Sequence, residues 1–354
     1  MEKYIPQIKI LLISLLFLTP SCSLDEEYKP TSIGRPMDVI VSSDGETIKD
    51  FKPTISETFE IPQPYFIFGN ENYFNSINVF FKGLNGSMLR HKTIVILVHD
   101  KNKKFLNNEF GIDVNALKLK MKDRHTVIIQ NLWAQPQHVI FIYARTQEEL
   151  KDYLNSHKEE VREMTLNSET KDLNERLLTS PAALSHYDKI KEKYGCGVAI
   201  PNSYILKNGK HKNGFFEFIE DNEYYTSTIA VYAEKYKDTS QFNTEHIIAM
   251  RDSMGKMHIK GQTEGTFMGT VPKEKYFRER FTKTKRYNGH YTKELWGMWT
   301  IEGDYKAGHY INYTFLHEPT NQIMHVEGFL HYPDTEKKKA PLLRIYQSLP
   351  WSFK

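Results

Sequence analysis

The sequence predicts an α+β fold with mixed, largely antiparallel sheets, packed helices and two halves. Three observations predict it. Helical patterns and strand-like runs follow one another without the regular alternation that is typical of parallel α/β folds. Short strand-like runs between turn residues dominate the second half, which indicates antiparallel meanders. A chain of 354 residues can also bury a sizeable core in one large or two modest domains.

The first half, residues 37–179, combines strands with helices. Its clearest strand is the apolar run Lys92–His99, which predicts a buried central strand. Thr146 and Glu149 form a capping box, which predicts the start of a long helical region. The other predicted strands cover residues 38–43, 65–68, 117–121, 125–130 and 139–144, and the other predicted helices cover residues 46–59 and 71–82.

The second half, residues 180–354, is mostly strands. Ser180 before Pro181 predicts the start of a helix, and Gly195 predicts its end. Two more helices are predicted over residues 241–257 and 336–348. The predicted strands cover residues 198–200, 204–207, 215–219, 226–232, 266–271, 295–301, 310–316 and 324–332.

The composition excludes several classes of protein. Lys and Arg number 47 against 44 Asp and Glu, a formal net charge of +3, so a mainly electrostatic nucleic-acid binder is excluded. Two cysteines are too few for a disulfide framework or a Cys-rich zinc module. The aromatic content of 13% is typical of a folded chain rather than a disordered one.

The N-terminus predicts a lipoprotein signal peptide over residues 1–21. Lys3 and Lys9 form a short positive region, and the apolar run over residues 10–18 is too short to span a bilayer. The sequence LTPSC that ends at Cys22 resembles the lipobox of bacterial lipoproteins, in which the cysteine is lipidated. We therefore expect acyl chains such as palmitate on Cys22; the alternative is an ordinary secretory signal with Cys22 incidental.

Residues 22–36 predict a polar tether without apolar periodicity. Ser23 resembles the residue that follows the cysteine in lipoproteins released to the outer membrane. The acidic cluster over residues 25–27 is similar to the export signal of surface lipoproteins in Bacteroidota, with a solvated linker as the alternative. The sequence thus predicts an outer-membrane location, lipid-anchored, with the cell surface as one option.

Eight short motifs occur in an order that resembles one protein family. They are residues 34–36 (GRP), 61–64 (IPQP), 91–94 (HKTI), 133–137 (WAQPQ), 199–201 (AIP), 251–253 (RDS), Glu294 with 297–299 (GMW), and 326–329 (VEGF). The ordered set resembles the Bacteroidota lipoprotein family of unknown function DUF4837 over nearly the whole mature chain. The resemblance implies a location and a fold but no activity, since the family has none established.

Two positions depart from the pattern of that family. Trp296 stands where an Arg tends to precede Gly297, and residues 307–310 (AGHY) stand where a Gly-Gly-Pro-Phe-like segment tends to follow. The resemblance therefore implies no role for that loop.

Residues 273–293 form a basic segment with interleaved aromatic side chains. Lys283, Lys285 and Arg286 lie within it, and such a segment can bind anionic glycan, lipid headgroups or nucleic acid. The alternative is a solvated loop or an edge hairpin. Because the net charge is small, we expect no nucleic-acid partner.

Other polar residues predict structural roles first. Arg251 and Asp252 are adjacent in a predicted helix and do not face each other, so we expect each to pair elsewhere, in a salt bridge or at a ligand. His325, Glu327 and His331 share one face of a predicted strand but span about 20 Å, so we expect a solvent-facing polar side and no metal site.

The tryptophans and Cys196 also predict structural roles first. Trp299 and the other tryptophans predict core packing, with sugar stacking as the alternative. Cys196 lies between Gly195 and Gly197 after a helix stop, which predicts a buried structural thiol.

The sequence predicts a lipid-anchored envelope protein with a non-catalytic binding or envelope-maintenance role, because no stretch of it specifies a reaction. We expect a glycan, lipid or envelope-protein partner and no cofactor. The alternative is a hydrolase that uses carboxylates such as Asp252, Glu294 or Glu327 on an envelope or glycan substrate. A third hypothesis is an assembly factor for other envelope proteins.

Overall fold

The first half of the chain is built on a five-stranded sheet. The computed structural model describes residues 28–63, 71–122, 124–272, 281–301, 303–334 and 339–354. The strands of this sheet are β1 (Asp38–Ser43), β2 (Asn75–Phe80), β3 (Thr93–Val98), β4 (Thr126–Gln130) and β5 (His138–Tyr143). Their spatial order is β2-β1-β3-β5-β4, and every pairing is parallel except that of β4 with β5. Strand β4 therefore lies at an edge of the sheet.

Helices cover both faces of this sheet. They are α1 (Gly45–Phe59), α2 (Lys103–Phe110), α3 (Val114–Met121), α4 (Gln147–Ser156) and α5 (Lys158–Leu177). Buried side chains of α1, α4 and α5 pack on one face, and those of α2 and α3 pack on the other. Strand β3 is buried along its whole length, as its apolar run predicts.

The second half is built on an antiparallel sheet with three helices. Its strands are β6 (Ile205–Leu206), β7 (Phe216–Asp221), β8 (Thr226–Lys235), β9 (Met268–Thr270), β10 (Phe281–Tyr287), β11 (His290–Ile301), β12 (Ala307–His317) and β13 (Gln322–His331). The order is β10-β11-β12-β13-β8-β7-β6, with β9 pairing beside β11. The helices are α6 (Pro181–Tyr194), α7 (Thr244–His258) and α8 (Ala340–Ser348). The fold is thus α+β, and its parallel pairings are confined to the first sheet.

The two halves share one core. Its buried residues include Phe51 and Phe59 from the first half and Trp296 and Tyr346 from the second. The carboxylate of Glu71 accepts hydrogen bonds of 2.8 Å from the first backbone N–H groups of the α8 region. These contacts hold α8 against the first half. The predicted division near Thr179 falls between α5 and α6.

Several predicted elements are confirmed at nearly the predicted positions. Strand β1 and helices α1, α6 and α7 begin and end within a few residues of the prediction. Helix α6 starts with Pro181 and ends at Gly195, whose φ of 74° lies in the left-handed region. The helical region that begins at the Thr146 cap divides at His157 into α4 and α5. No helix in the described part of the chain is long and apolar enough to cross a membrane.

The helix predicted over residues 71–82 is wrong. The segment forms β2, which pairs in parallel with β1. Phe74 and Phe81, which the predicted helix would place on one face, are buried in two different cores on opposite faces of the sheet. Side chains alternate between the two faces along extended backbone, so residues seven positions apart lie on opposite faces, whereas a helix would place them on the same face.

The strand predicted over residues 117–121 is also wrong, because this segment forms α3. Alternating apolar residues fitted a strand, but Leu117 and Met121 are both buried, four residues apart, while Leu119 is 81% exposed. The side chain of Asp113 accepts a hydrogen bond at the N-terminus of α3, which favours the helix.

Three other predictions differ from the structure or lie beyond it. Residues 198–200 are buried but form no strand, since Ala199 N–H donates to Ser352 Oγ at 2.8 Å instead. Strand β10 was expected only as one option for the basic segment. The strand predicted over residues 65–68 lies outside the described residues.

Candidate binding groove and buried ion pairs

A buried ion pair connects helix α7 to the second sheet. Arg251 Nε donates to Glu327 Oε1 at 2.9 Å, and both side chains are buried. The other carboxylate oxygen of Glu327 accepts from Asn312 Nδ2 at 3.2 Å. The guanidinium also lies over the ring of Tyr310, 3.9 Å from its centroid. This is the structural salt bridge that the sequence predicts for Arg251.

The prediction that Arg251 and Asp252 do not pair with each other is wrong. Arg251 Nη1 lies 3.5 Å from Asp252 Oδ1, because both side chains turn towards Thr270. The Thr270 hydroxyl accepts from Arg251 Nη1 at 2.8 Å and donates to Asp252 Oδ1 at 2.7 Å. Trp299 pairs with Thr270 across the strands and packs edge-to-face on Phe329, so it is a core tryptophan.

The expectation of a solvent-facing polar side on β13 is wrong. His325 and Glu327 are buried, because α7 and neighbouring side chains cover this face. His325 lies 2.9 Å from Thr314 Oγ1 and 3.3 Å from a carboxylate oxygen of Glu234. His331 lies apart, 3.0 Å from the carbonyl of Ala307. Among the described residues no group of three His, Cys, Asp or Glu is placed to hold a metal ion.

A second charged cluster joins the two halves of the chain. Lys283 Nζ and Lys285 Nζ of β10 lie 2.6 and 3.1 Å from the two carboxylate oxygens of Glu163 on α5. Lys285 also donates to Asn167, one turn further along α5. Burial raises the pKa of Glu163, but the two lysines outweigh it and leave this pKa below its usual value. We call Glu163, Lys283, Lys285 and Glu294 the carboxylate node.

Glu294 is the buried member of the carboxylate node. It lies directly across the strand pair from Lys283 and accepts hydrogen bonds from the indole N–H of Trp296 and, at 3.3 Å, from Tyr287 Oη. Burial raises the pKa of Glu294 above its usual value. The enclosed space beside it measures about 20 Å³, which is enough for about one water molecule.

An open groove of about 800 Å³ runs along the edge strand β4, beside the carboxylate node. Its lining comprises Val127, Ile128, Ile129, Gln130 and His138 from the sheet, Glu160, Glu163, Met164, Asn167, Ser168 and Lys171 from α5, with Lys120 of α3 and Trp351. We call it the β4 groove. Trp351 is fixed in place, because its indole N–H donates to Thr170 Oγ1 at 2.9 Å.

The sequence did not single out Glu163 or the β4 groove. The groove residues of α5 recur every three or four positions, which is the spacing of one helix face. That stripe contains two glutamates, an asparagine and a lysine. A polar stripe on one helix face could have indicated a binding surface from the sequence. Its partners on β10 are more than 100 residues away in sequence, so nothing local marks the contact.

Arg286 is separated from Lys283 and Lys285. It lies on the opposite face of β10, directly across from Tyr291, and lines a cavity of about 540 Å³ at the β10–β11 turn. The described part of the basic segment, residues 281–293, therefore forms an edge hairpin whose two faces have different surroundings, while residues 273–280 lie outside the described residues.

The structure describes one of the two cysteines, Cys196. Cys196 is fully buried, and burial raises the pKa of its thiol to about 11, so it is a structural thiol as predicted. Cys22 lies outside the described residues.

Two family models match the chain in adjacent stretches. Residues 32–178 match Domain of unknown function (DUF8532), and residues 183–345 match Domain of unknown function (DUF4837). A comparison with curated proteins found no match. The similarity that the sequence motifs indicated over nearly the whole chain thus divides between two families, and the division coincides with the passage from α5 to α6.

Proposed function

Residues 183–345 match the DUF4837 family of unknown function, and from that premise we propose that this protein is a lipid-anchored envelope protein with a binding role. The β4 groove is its binding site, and its partner is an extended acidic segment of another envelope protein. The observation that carries the proposal is an edge strand whose outer side is open along this groove.

The backbone of β4 supports this mode of binding. On either side of β4, the carbonyl of His125 accepts a hydrogen bond from Tyr143 N–H of β5, and Asn131 N–H donates to the carbonyl of Gln137, directly before β5. Because paired and outward-pointing residues alternate in an antiparallel ladder, the backbone groups of Thr126, Ile128 and Gln130 point away from β5. An extended segment can add to such an edge as a further strand, with main-chain hydrogen bonds providing the affinity.

The charges around the β4 groove favour an acidic partner. Lys120 and Lys171 line it on opposite sides, and the two lysines of the carboxylate node lie next to it. Glu160 and Glu163 are the acidic residues of the lining, and Glu163 is already paired with both node lysines. Burial lowers the pKa of His138, so it is neutral at pH 7.

The position of the tether supports the anchor. Lys29 donates to the carbonyl of Asn131, the residue directly after β4. The chain between Cys22 and Lys29 can span at most about 25 Å when fully extended. A lipid on Cys22 would therefore hold the β4 groove close to the membrane surface, where other anchored proteins are concentrated.

The buried carboxylates favour binding over hydrolysis. General acid–base catalysis needs a carboxyl group within reach of a substrate. Glu294 borders a space for about one water molecule, and Glu327 is buried against Arg251 and Asn312. Neither group lines the β4 groove.

Proline at position 128 tests the groove. Ile128→Pro removes one outward N–H group without removing a hydrogen bond to β5, and edge strands tolerate such a proline. We expect it to weaken binding of a capped peptide of alternating glutamate and valine roughly tenfold, measured by fluorescence anisotropy. Ile128→Ala is the matched control, because it shortens the same side chain but keeps the N–H group.

Two results would overturn this proposal. One is equal affinity of the Ile128→Pro and Ile128→Ala proteins for the glutamate–valine peptide. The other is equally tight binding of a lysine–valine peptide, which the positive groove should reject. Circular dichroism of both variants checks that the fold is retained.

A further inference from the structure

We propose a second binding site, in the cavity at the β10–β11 turn, for an acidic sugar such as a hexuronic-acid residue of a glycan. The cavity measures about 540 Å³, within the range of about 300–1,000 Å³ that small-ligand sites occupy. It lies on the opposite face of β10 from the carboxylate node, so this site is separate from the β4 groove. We call it the hairpin cavity.

Aromatic side chains give the hairpin cavity a wall on which a sugar ring can pack. Tyr291 is 45% exposed, and its ring meets that of Phe242 edge-to-face, with centroids 5.3 Å apart. Tyr236 also lines the cavity. The apolar face of a pyranose ring packs on such an exposed aromatic ring, while its hydroxyl groups stay at the rim.

Arg286 supplies a site for a carboxylate. Its register partner across the strand pair is Tyr291, so the guanidinium and the aromatic ring are neighbours on one face. One N–H group of the guanidinium donates to the carbonyl of Gly289 at 2.9 Å, which holds the side chain over the turn. The guanidinium has five N–H donors, and a fork of two of them matches the two oxygens of a carboxylate.

Glu318 makes the site selective for a sugar acid over a phosphate. Glu318 lines the same cavity as Arg286. An ionised carboxylate accepts hydrogen bonds from sugar hydroxyl groups but repels a second strong negative charge. A ligand with one carboxylate at one end and hydroxyl groups elsewhere satisfies both residues, whereas a doubly charged phosphate does not.

Titration with tetragalacturonate, followed by isothermal calorimetry on the full mature chain, tests this site. We expect measurable binding to the wild type, and roughly tenfold weaker binding after Arg286→Gln and after Tyr291→Ala. Lys293→Gln is the matched control, because Lys293 lies two residues beyond Tyr291 on β11 but does not line the cavity. We expect it to change the affinity less than twofold.

Each other outcome overturns the assignment. Absence of binding to the wild type at millimolar tetragalacturonate excludes this ligand class. If Arg286→Gln and Lys293→Gln lose affinity for tetragalacturonate equally, the binding depends on general surface charge and not on this cavity. Tighter binding of inorganic phosphate than of tetragalacturonate, lost in Arg286→Gln, makes the cavity a phosphate site instead. Galactotetraose, which lacks the carboxylates, should bind at least tenfold more weakly than tetragalacturonate.

Discussion

Glu163 and Glu294 show how the surroundings of one residue type set its charge. Both belong to the carboxylate node, but Glu294 is buried, whereas the side chain of Glu163 is 23% exposed. Glu163 has two ammonium groups on its oxygens, which lower its pKa. In the part of the chain that the structure describes, the direct donors to Glu294 are an indole and a phenol, so burial dominates and the pKa of Glu294 is raised.

Replacing each of these glutamates by glutamine should affect stability with opposite signs. A raised pKa in the folded state lowers stability as pH rises above about 4.3, the ordinary value for an unfolded Glu. Glu294→Gln removes that loss of stability. We therefore expect the melting temperature of the variant, relative to that of the wild type, to be higher at pH 7.5 than at pH 4.5. Melting temperatures at the two pH values measure this.

Glu163→Gln is the matched comparison. The lowered pKa of Glu163 stabilises the folded state above about pH 4.3, and this contribution is lost as pH falls through the folded-state pKa. The Glu163→Gln protein should therefore be less stable than the wild type at pH 7.5 and approach it under acidic conditions. The same pH trend in both variants would contradict the opposite environments assigned to the two carboxylates.

Single residues were predictable where the chemistry is local. The cap at Thr146 and the stop at Gly195 depend on neighbours in sequence, and both occur as predicted. The burial of His325 and Glu327 depends instead on α7, which lies about 75 residues earlier and covers β13. Even spacing on a strand fixes which face the residues share, but not what covers that face.

At the scale of elements, α7 depends on the Arg251–Glu327 pair. Removing one partner leaves the other charge buried without compensation, which costs about 3–5 kcal/mol in other proteins. We expect Arg251→Met to lower the free energy of unfolding by about that amount, measured by urea denaturation. The double variant Arg251→Met/Glu327→Leu should recover much of the loss, since it buries no charge.

The same variants separate a structural role from a functional one. Binding of the glutamate–valine peptide should be unchanged in the folded double variant, because α7 does not line the β4 groove. If Arg251→Met costs less than about 1 kcal/mol, the pair does not fasten α7 as described.

Helices and strands were predictable where their burial pattern fits only one spacing of apolar residues. Helix α1 has a single buried face, and β3 is buried on both sides, so their patterns are unambiguous. Strand β2 and helix α3 are different, because their apolar residues fit two spacings. The pairing of β2 with β1 selects the strand spacing for β2, and the exposure of Leu119 selects the helical spacing for α3. Both features depend on tertiary structure.

At the scale of the whole molecule, the candidate site arises where the two halves meet. Lys285 reaches Glu163 across 122 residues of sequence, and Trp351 reaches Thr170 across 181. The sequence could indicate Lys283, Lys285 and Glu294 as candidates, but it could not show that α5 is their common partner. The fold class was accessible because it needs only the order and type of elements.

The described part of the tether, residues 28–36, contacts the chain just after β4, beside the β4 groove. Lys29 contacts Asn131 after β4, and Gln135 N–H donates to the carbonyl of Pro30 at 2.9 Å. An anchor on Cys22 would therefore present the groove to partners on the same membrane. The lipid is the premise on which this arrangement rests.

Metabolic labelling with radioactive palmitate tests that premise most directly. Wild-type protein and Cys22→Ala protein are expressed in a host that processes lipoproteins, purified and compared by autoradiography at equal loading. We expect label to enter the wild-type protein and not the Cys22→Ala protein, because the remaining Cys196 is buried. Equal labelling of the two proteins, or no labelling of either, would contradict it.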